Sequence, residues 1–294
     1  PGCGFDRLVA FSCKHRGVCS SCGARRMSET AANLVDRVWP DVPMRQWVLS
    51  VPWELRLPLA RDPKLLARLA RIFFEELRRW SRDASGVTAR EGEHLEVGCV
   101  THVQRFGGSL NLNVHLHVLA TDGVFRCRED GTTPVFVAGR APTRGDLRGV
   151  LARVVARLKR SRARTEADAA GAEDALDACL RAAGGAGTFV RVKGRTEEED
   201  AEDAPFTVRG RADAKPFTAE YAGFNVHAGV TVAAHDREGR ERLCRYTARP
   251  AVCLSRVSVL PDGRVAYRVK SPRSAAATHR VMTPLEFMAR LAAL

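Results

Sequence analysis

Two groups of side chains in this sequence could do chemistry. In Asn113-Val114-His115-Leu116-His117-Val118-Leu119 two histidines stand two residues apart in apolar text. On a strand, residues two apart project from the same face, so both imidazoles point together while Val114, Leu116 and Val118 pack behind them. Two neutral imidazoles on a rigid strand make two-thirds of a site for a divalent ion. Two satisfied core histidines are the plainer alternative. The second group is cysteine: of nine in the chain, Cys3, Cys13, Cys19 and Cys22 fall at the N-terminal end. Cys19-Ser-Ser-Cys22 has the spacing by which a tight turn offers two thiolates to one Zn²⁺, and Cys3 and Cys13 supply two more. Residues 1–30 are too short for a hydrophobic core, so a structural zinc would supply the missing folding energy. The spacing is not a clean double pair. Pro1-Gly2-Cys3-Gly4 reads as the tail of a Cys-x-x-Cys turn, in which case Cys13 is a spectator and His15 a substitute; the ligand set stays open between these arrangements.

These residues need elements to hold them. Residues 30–39 read as a helix with Ser28 as its N-cap, and residues 45–51 as a short strand closed by Pro52. Asp62-Pro63 opens the clearest helix, whose Leu66, Leu69, Phe73, Leu77 and Trp80 recur at helical spacing. From residue 95 to 125 the period becomes two. A turn at Arg105-Phe106-Gly107-Gly108-Ser109 divides the stretch into two neighbouring antiparallel strands, expected at the centre of a sheet. Residues 146–159 form an amphipathic helix with Leu147, Val150, Leu151, Val154 and Leu158 on one side, and residues 165–183 an Ala-rich one. The acidic run 197–203 is a solvated loop or insertion. Residues 224–233 alternate as a strand, 240–248 are helical and halted by Pro250, and Pro261-Asp262-Gly263 turns a hairpin. The fold class is α+β.

Composition narrows the function. Forty-seven Lys and Arg against thirty-four Asp and Glu give a net charge of +13, a surplus that favours a polyanion, with nucleic acid foremost. No stretch approaches the roughly 18 apolar residues of a membrane span, so no membrane partner is expected. An odd cysteine count without a secretory signal argues for a reducing compartment and against a disulfide framework. The chain opens on Pro-Gly-Cys and stops within an amphipathic run, which reads as an internal piece of a longer protein.

Several blocks occur together in one order: Phe11-Ser-Cys13-Lys14, Cys19-x-x-Cys22-x-x-Arg25-Arg26-Met27, Gln104-Arg105-Phe106-Gly107, Leu110-Asn111-Leu112-Asn113, the His115/His117 pair, and Arg245-Tyr246-x-Ala248-Arg249-Pro250. With them the chain resembles, from end to end, the rolling-circle (HUH-type) transposases of insertion sequences that carry an N-terminal zinc-binding domain. The resemblance implies a zinc-binding module with its connecting helix over residues 1–40. It implies an antiparallel-sheet HUH nuclease core with flanking helices over 41–294, carrying an insertion around 140–215 and cut short at its C-terminus. It also implies a bacterial cytoplasmic setting and, as partners, single-stranded and duplex DNA of transposon ends.

In that family the strand histidines hold Mg²⁺ or Mn²⁺ and a helix-borne tyrosine attacks the scissile phosphate of single-stranded DNA. His115 and His117 would be two ligands; the third is Gln104, on the neighbouring strand, or His227, with Gln104 preferred. Of three tyrosines, Tyr246 is on a short helix beside Arg242, Arg245 and Arg249, whereas Tyr267 sits in a hairpin strand and Tyr221 in a loop. Two-nucleophile members carry tyrosines four apart, but Arg242 stands four before Tyr246, so this is a single-tyrosine variant. Arg25, Arg26, Arg245 and Arg249 are the expected DNA contacts. A plasmid replication initiator or relaxase, and a non-catalytic zinc-containing DNA-binding remnant, are the rival readings.

Overall fold

The computed structural model describes residues 20–163, 188–190, 216–269 and 277–292. Its centre is a five-stranded antiparallel sheet in the order β3-β4-β1-β9-β8, made of β1 (Met44–Ser50), β3 (Cys99–Phe106), β4 (Leu112–Thr121), β8 (Thr218–Tyr221) and β9 (Phe224–Val232). One face buries Trp47 and Leu49 of β1 with Val51 just beyond it, Val114, Leu116 and Val118 of β4, and Val226 and Ala228 of β9. Three helices cover it: α2 (Trp53–Arg61), α3 (Pro63–Ser85) and α4 (Arg144–Ala163). The apolar positions read from the sequence for α3 and α4 are the ones buried here. Asp62 caps α3 by accepting from Lys64 N and Leu65 N, with Pro63 in the first turn. Gly86, at φ 65°, closes α3 in the left-handed conformation that favours glycine.

The opposite face is covered by α1 (Ser20–Asn33), a π-helical turn (Leu34–Val38) and α5 (Arg237–Ala248), which pack Ala31, Leu34, Leu243 and Cys244 onto Met44, Leu119 and Val230. Two smaller antiparallel sheets flank this body. One joins β2 (Glu93–Glu96), β5 (Gly123–Arg128) and β6 (Val135–Ala138). The other joins β10 (Val257–Val259), β11 (Val265–Arg268), β12 (His279–Met282) and β7 (Thr188–Val190), beside α6 (Pro284–Ala292). Arg45, almost fully buried, binds Asp122 through Nε and Nη2 and Ala228 O through Nη1, locking β1 between β4 and β9.

Four expectations change. The helix expected over residues 30–39 begins ten residues earlier, and Ser28 lies within it rather than capping it. A contact invisible in the local text explains this: Gly23 lies so close to Pro250 that a Cβ there would be 2.9 Å from the proline ring. Helix α1 therefore gains stability by packing near α5 rather than from its own propensity. Next, the 95–125 stretch holds four strands, because β2 and β5 pair in a separate sheet. β4 is interior as expected, but β3 is an edge strand. Last, Tyr221 ends β8 instead of lying in a loop. The helix expected at 165–183, the acidic run at 197–203, and Cys3, Cys13, His15 and Cys19 lie outside the described residues, as does much of the 140–215 insertion. Among the described residues no helix is long and apolar enough to cross a membrane.

Candidate active site

The register of the main sheet decides which side chains meet. His102 is opposite His117 and Gln104 opposite His115 on β3 and β4, and directly opposed residues share a face. His115 also faces Ser50, and His117 faces Val48, across β1. The imidazoles thus project from the face covered by α1 and α5. Their ring centroids are 5.0 Å apart.

Each ring is held. His115 Nδ1 donates to Asn113 O at 2.6 Å; since a carbonyl only accepts, the proton is on Nδ1 and the Nε2 lone pair is left for a ligand. Burial pushes the pKa of His115 down. The Asn113 hydrogen bond opposes that shift, while the charges of Arg249 and Arg56 add to it, which keeps the ring neutral at pH 7. His117 is 4% exposed, with Gln46 Nε2 at 2.8 Å from its Nδ1. That amide nitrogen donates to Nδ1 and holds the ring from the neighbouring strand β1. Gln104 Nε2 donates to Thr247 O on α5 at 3.2 Å, which leaves its Oε1 as an acceptor or ligand.

Helix α5 brings the tyrosine. Asp236 caps it by accepting from Gly239 N. Arg240, buried in its side chain, fastens it to Pro40 O at 3.0 Å and to Asp41 at 2.6 Å. The Tyr246 ring then meets the His117 ring edge-on, with centroids 5.9 Å apart and planes at 78°. Pro250 ends the helix, and Arg249 before it is extended. Its guanidinium lies 4.5 Å from the centroid of the Tyr246 ring. Beside this cluster opens a groove of about 440 Å³ lined by Gln104, Phe106, His115, Arg249, Arg256 and Tyr267, among others.

His117, Tyr246, Arg249, His115 and Gln104 therefore come together. His227 projects from the same face, but it is opposite Val48 on the far side of β1, two strand spacings or roughly 9.6 Å from the histidine strand. Tyr267 is 3% exposed, and burial holds its phenol above the ordinary range. Arg245 spends one nitrogen on Ser28 Oγ of α1 at 3.3 Å, while Arg25 and Arg26 are exposed on α1. Of the four cysteines of the expected zinc site only Cys22 is described, in the first turn of α1. Sequence reasoning missed Gln46, His102 and Arg56. Gln46 carried the only available signal, a polar residue inside the apolar strand Met44–Ser50.

Comparison with protein families decides the wider identity. Residues 98–294 match the family described as “Putative transposase”, which is more than half of the chain. The chain belongs to this transposase family. Residues 1–51 of the transposase also match the transposase zinc-binding domain of the IS91 type. Comparison with curated proteins and with solved structures finds no match. The transposase is thus a DNA-binding enzyme with a zinc-binding domain at its N-terminal end, and the match over residues 98–294 takes in Gln104, His115, His117, Tyr246 and Arg249.

Proposed function

We propose that the transposase cuts and rejoins single-stranded DNA by the HUH rolling-circle chemistry, with Tyr246 as its one nucleophile and Mg²⁺ or Mn²⁺ held by His115, His117 and Gln104. The observation that carries this reading is the edge-on contact of Tyr246 with His117, under the guanidinium of Arg249. The donor set suits the metal. Among the described residues no three His, Cys, Asp or Glu side chains gather as a metal site, and the third donor we propose among them is an amide oxygen. Gln104, directly opposite His115, offers a neutral oxygen of the sort Mg²⁺ accepts. When bound, the metal supplies Lewis-acid polarisation of a phosphoryl oxygen.

The side chains do the rest. Arg249 binds a phosphate oxygen beside the Tyr246 ring and screens charge as it develops. Tyr246 Oη gives up its proton and attacks phosphorus in line; the new P–O(tyrosine) bond replaces the P–O3′ bond, and the departing oxygen takes up one proton as a free 3′-OH, so the proton count is unchanged. The 5′-phosphotyrosine conserves the bond for later attack by a 3′-OH, which reverses the step. Residues 1–40, with Cys3, Cys13, Cys19 and Cys22 on zinc, form the module that precedes the nuclease domain at 41–294, and Arg25, Arg26 and Arg245 join Arg249 on the DNA.

The test is adduct formation on single-stranded oligonucleotides from the element's ends. A covalent protein–DNA species should form in Mn²⁺ and disappear with EDTA. Tyr246→Phe, which removes one hydroxyl and keeps the ring, should abolish it with DNA affinity nearly unchanged. An adduct that survives this change moves the nucleophile elsewhere and sinks the assignment.

A further inference from the structure

Trp53 is 57% exposed, whereas Trp39, Trp47 and Trp80, the other tryptophans of the chain, are at most 8% exposed. What sets this exposed ring apart is its setting, beside a cation and near the histidine strand. Trp53 begins α2, three residues beyond Ser50, which is the register partner of His115; three extended residues span roughly 10 Å, so the ring stands at the end of the sheet where the histidines are. The Arg56 guanidinium lies 5.2 Å from its ring centroid and donates to Leu112 O, at the start of the histidine strand. The β8–β9 turn closes the other side: a Cβ at Gly223 would be 2.8 Å from Pro52, and Tyr221, the last residue of β8 before that turn, is itself 38% exposed.

We infer that Trp53, with Arg56 beside it, is a stacking platform for an unpaired base of the single strand entering the active site. The chemistry of the occupant follows from the pieces. An exposed ring face attracts any base; the cation next to it and the net charge of +13 favour the attached phosphates. A base inside a duplex has no face to offer, so the platform selects single-stranded DNA. This rests on the DNA-cleaving reading above for the strand's destination but not for its binding.

The experiment follows Trp53 in the whole chain, because it is the one tryptophan that acrylamide can readily reach. Titration with an oligothymidylate should quench the exposed emission; a blunt duplex and an abasic strand of the same length should not. Trp53→Ala should remove that quench, keep the far-UV circular dichroism, and weaken binding of labelled oligothymidylate about 5- to 150-fold, the span expected for one lost base–aromatic stack. Trp53→Phe should recover a large part of the affinity. Unchanged affinity in Trp53→Ala, or equal binding of the abasic strand, overturns the platform. So does quenching that grows with protein concentration without DNA, which assigns the ring to a second copy of the chain. The two readings fail separately: loss of the Mn²⁺-dependent adduct with the Trp53 results intact rejects the chemistry alone, and a normal adduct with Trp53 indifferent to DNA rejects the platform alone.

Discussion

At the residue scale, the candidate site is two histidines whose second nitrogens are already occupied. His115 fixes its tautomer through its own strand's carbonyl, and His117 meets Gln46 from the neighbouring strand. Such outer contacts orient a ligand, and their loss commonly weakens metal affinity about 10- to 100-fold. Gln46→Leu should therefore raise the Mn²⁺ concentration needed for adduct formation by about that factor. His115→Ala should raise it further and be partly rescued by excess Mn²⁺. Electron paramagnetic resonance titration of Mn²⁺ reads both directly, and Tyr246→Phe should leave that titration unchanged. Equal Mn²⁺ affinity in His115→Ala and the parent would remove His115 from the site.

At the element scale, the sheet presents its histidines accurately because the helices behind it are fastened together. Glu76 of α3, almost fully buried, accepts from Arg153 at 2.6 Å and from Arg157 at 2.9 Å, both on α4. Burial alone would raise its pKa, but the hydrogen bonds from Arg157 and Arg153 outweigh that and the net shift is downward. A carboxyl with a lowered folded pKa contributes fully above its unfolded value of 4.5. That contribution is lost as pH falls through the folded value, where the unfolded chain binds the extra proton. Glu76→Gln should cost about 1–2 kcal/mol at pH 7, discounted because both arginines are about a third exposed. It should also flatten the fall of the urea midpoint below about pH 4.5. A mutant that keeps the parent's acid slope would show that other carboxylates set it.

On the scale of the whole molecule, α1 connects the N-terminal cysteines to the tyrosine helix. Cys22 precedes Gly23, which meets Pro250, and Ser28 accepts from Arg245. Arg25 and Arg26 lie exposed on the same helix, and they are the phosphate contacts proposed for it. Replacing both by alanine should make the log–log salt dependence of duplex binding shallower by about 1.8, near 0.9 per phosphate contact on B-form DNA. A slope equal to the parent's would place both side chains away from phosphate.

The sequence by itself determined what depends on neighbours along the chain. Period-two alternation put His115 and His117 on one face, the cap and proline at Asp62-Pro63 started α3, and the repeat of Leu66, Leu69, Phe73, Leu77 and Trp80 marked its buried side. The blocks around the histidines and Tyr246 revealed the family because their order along the chain survives without any knowledge of contacts. The pairing that sets Gln104 against the histidine strand was also legible, because those two strands are neighbours along the chain. Only the tertiary structure decided the rest of the order, β3-β4-β1-β9-β8, which puts His227 beyond β1. It also brings in Gln46 and Arg56, which sequence spacing could not connect to residues 115–117. The extra turns of α1 were hidden for the same reason. Helix stability there comes from a close approach to Pro250 more than two hundred residues away, and local propensity carries no record of a partner that distant.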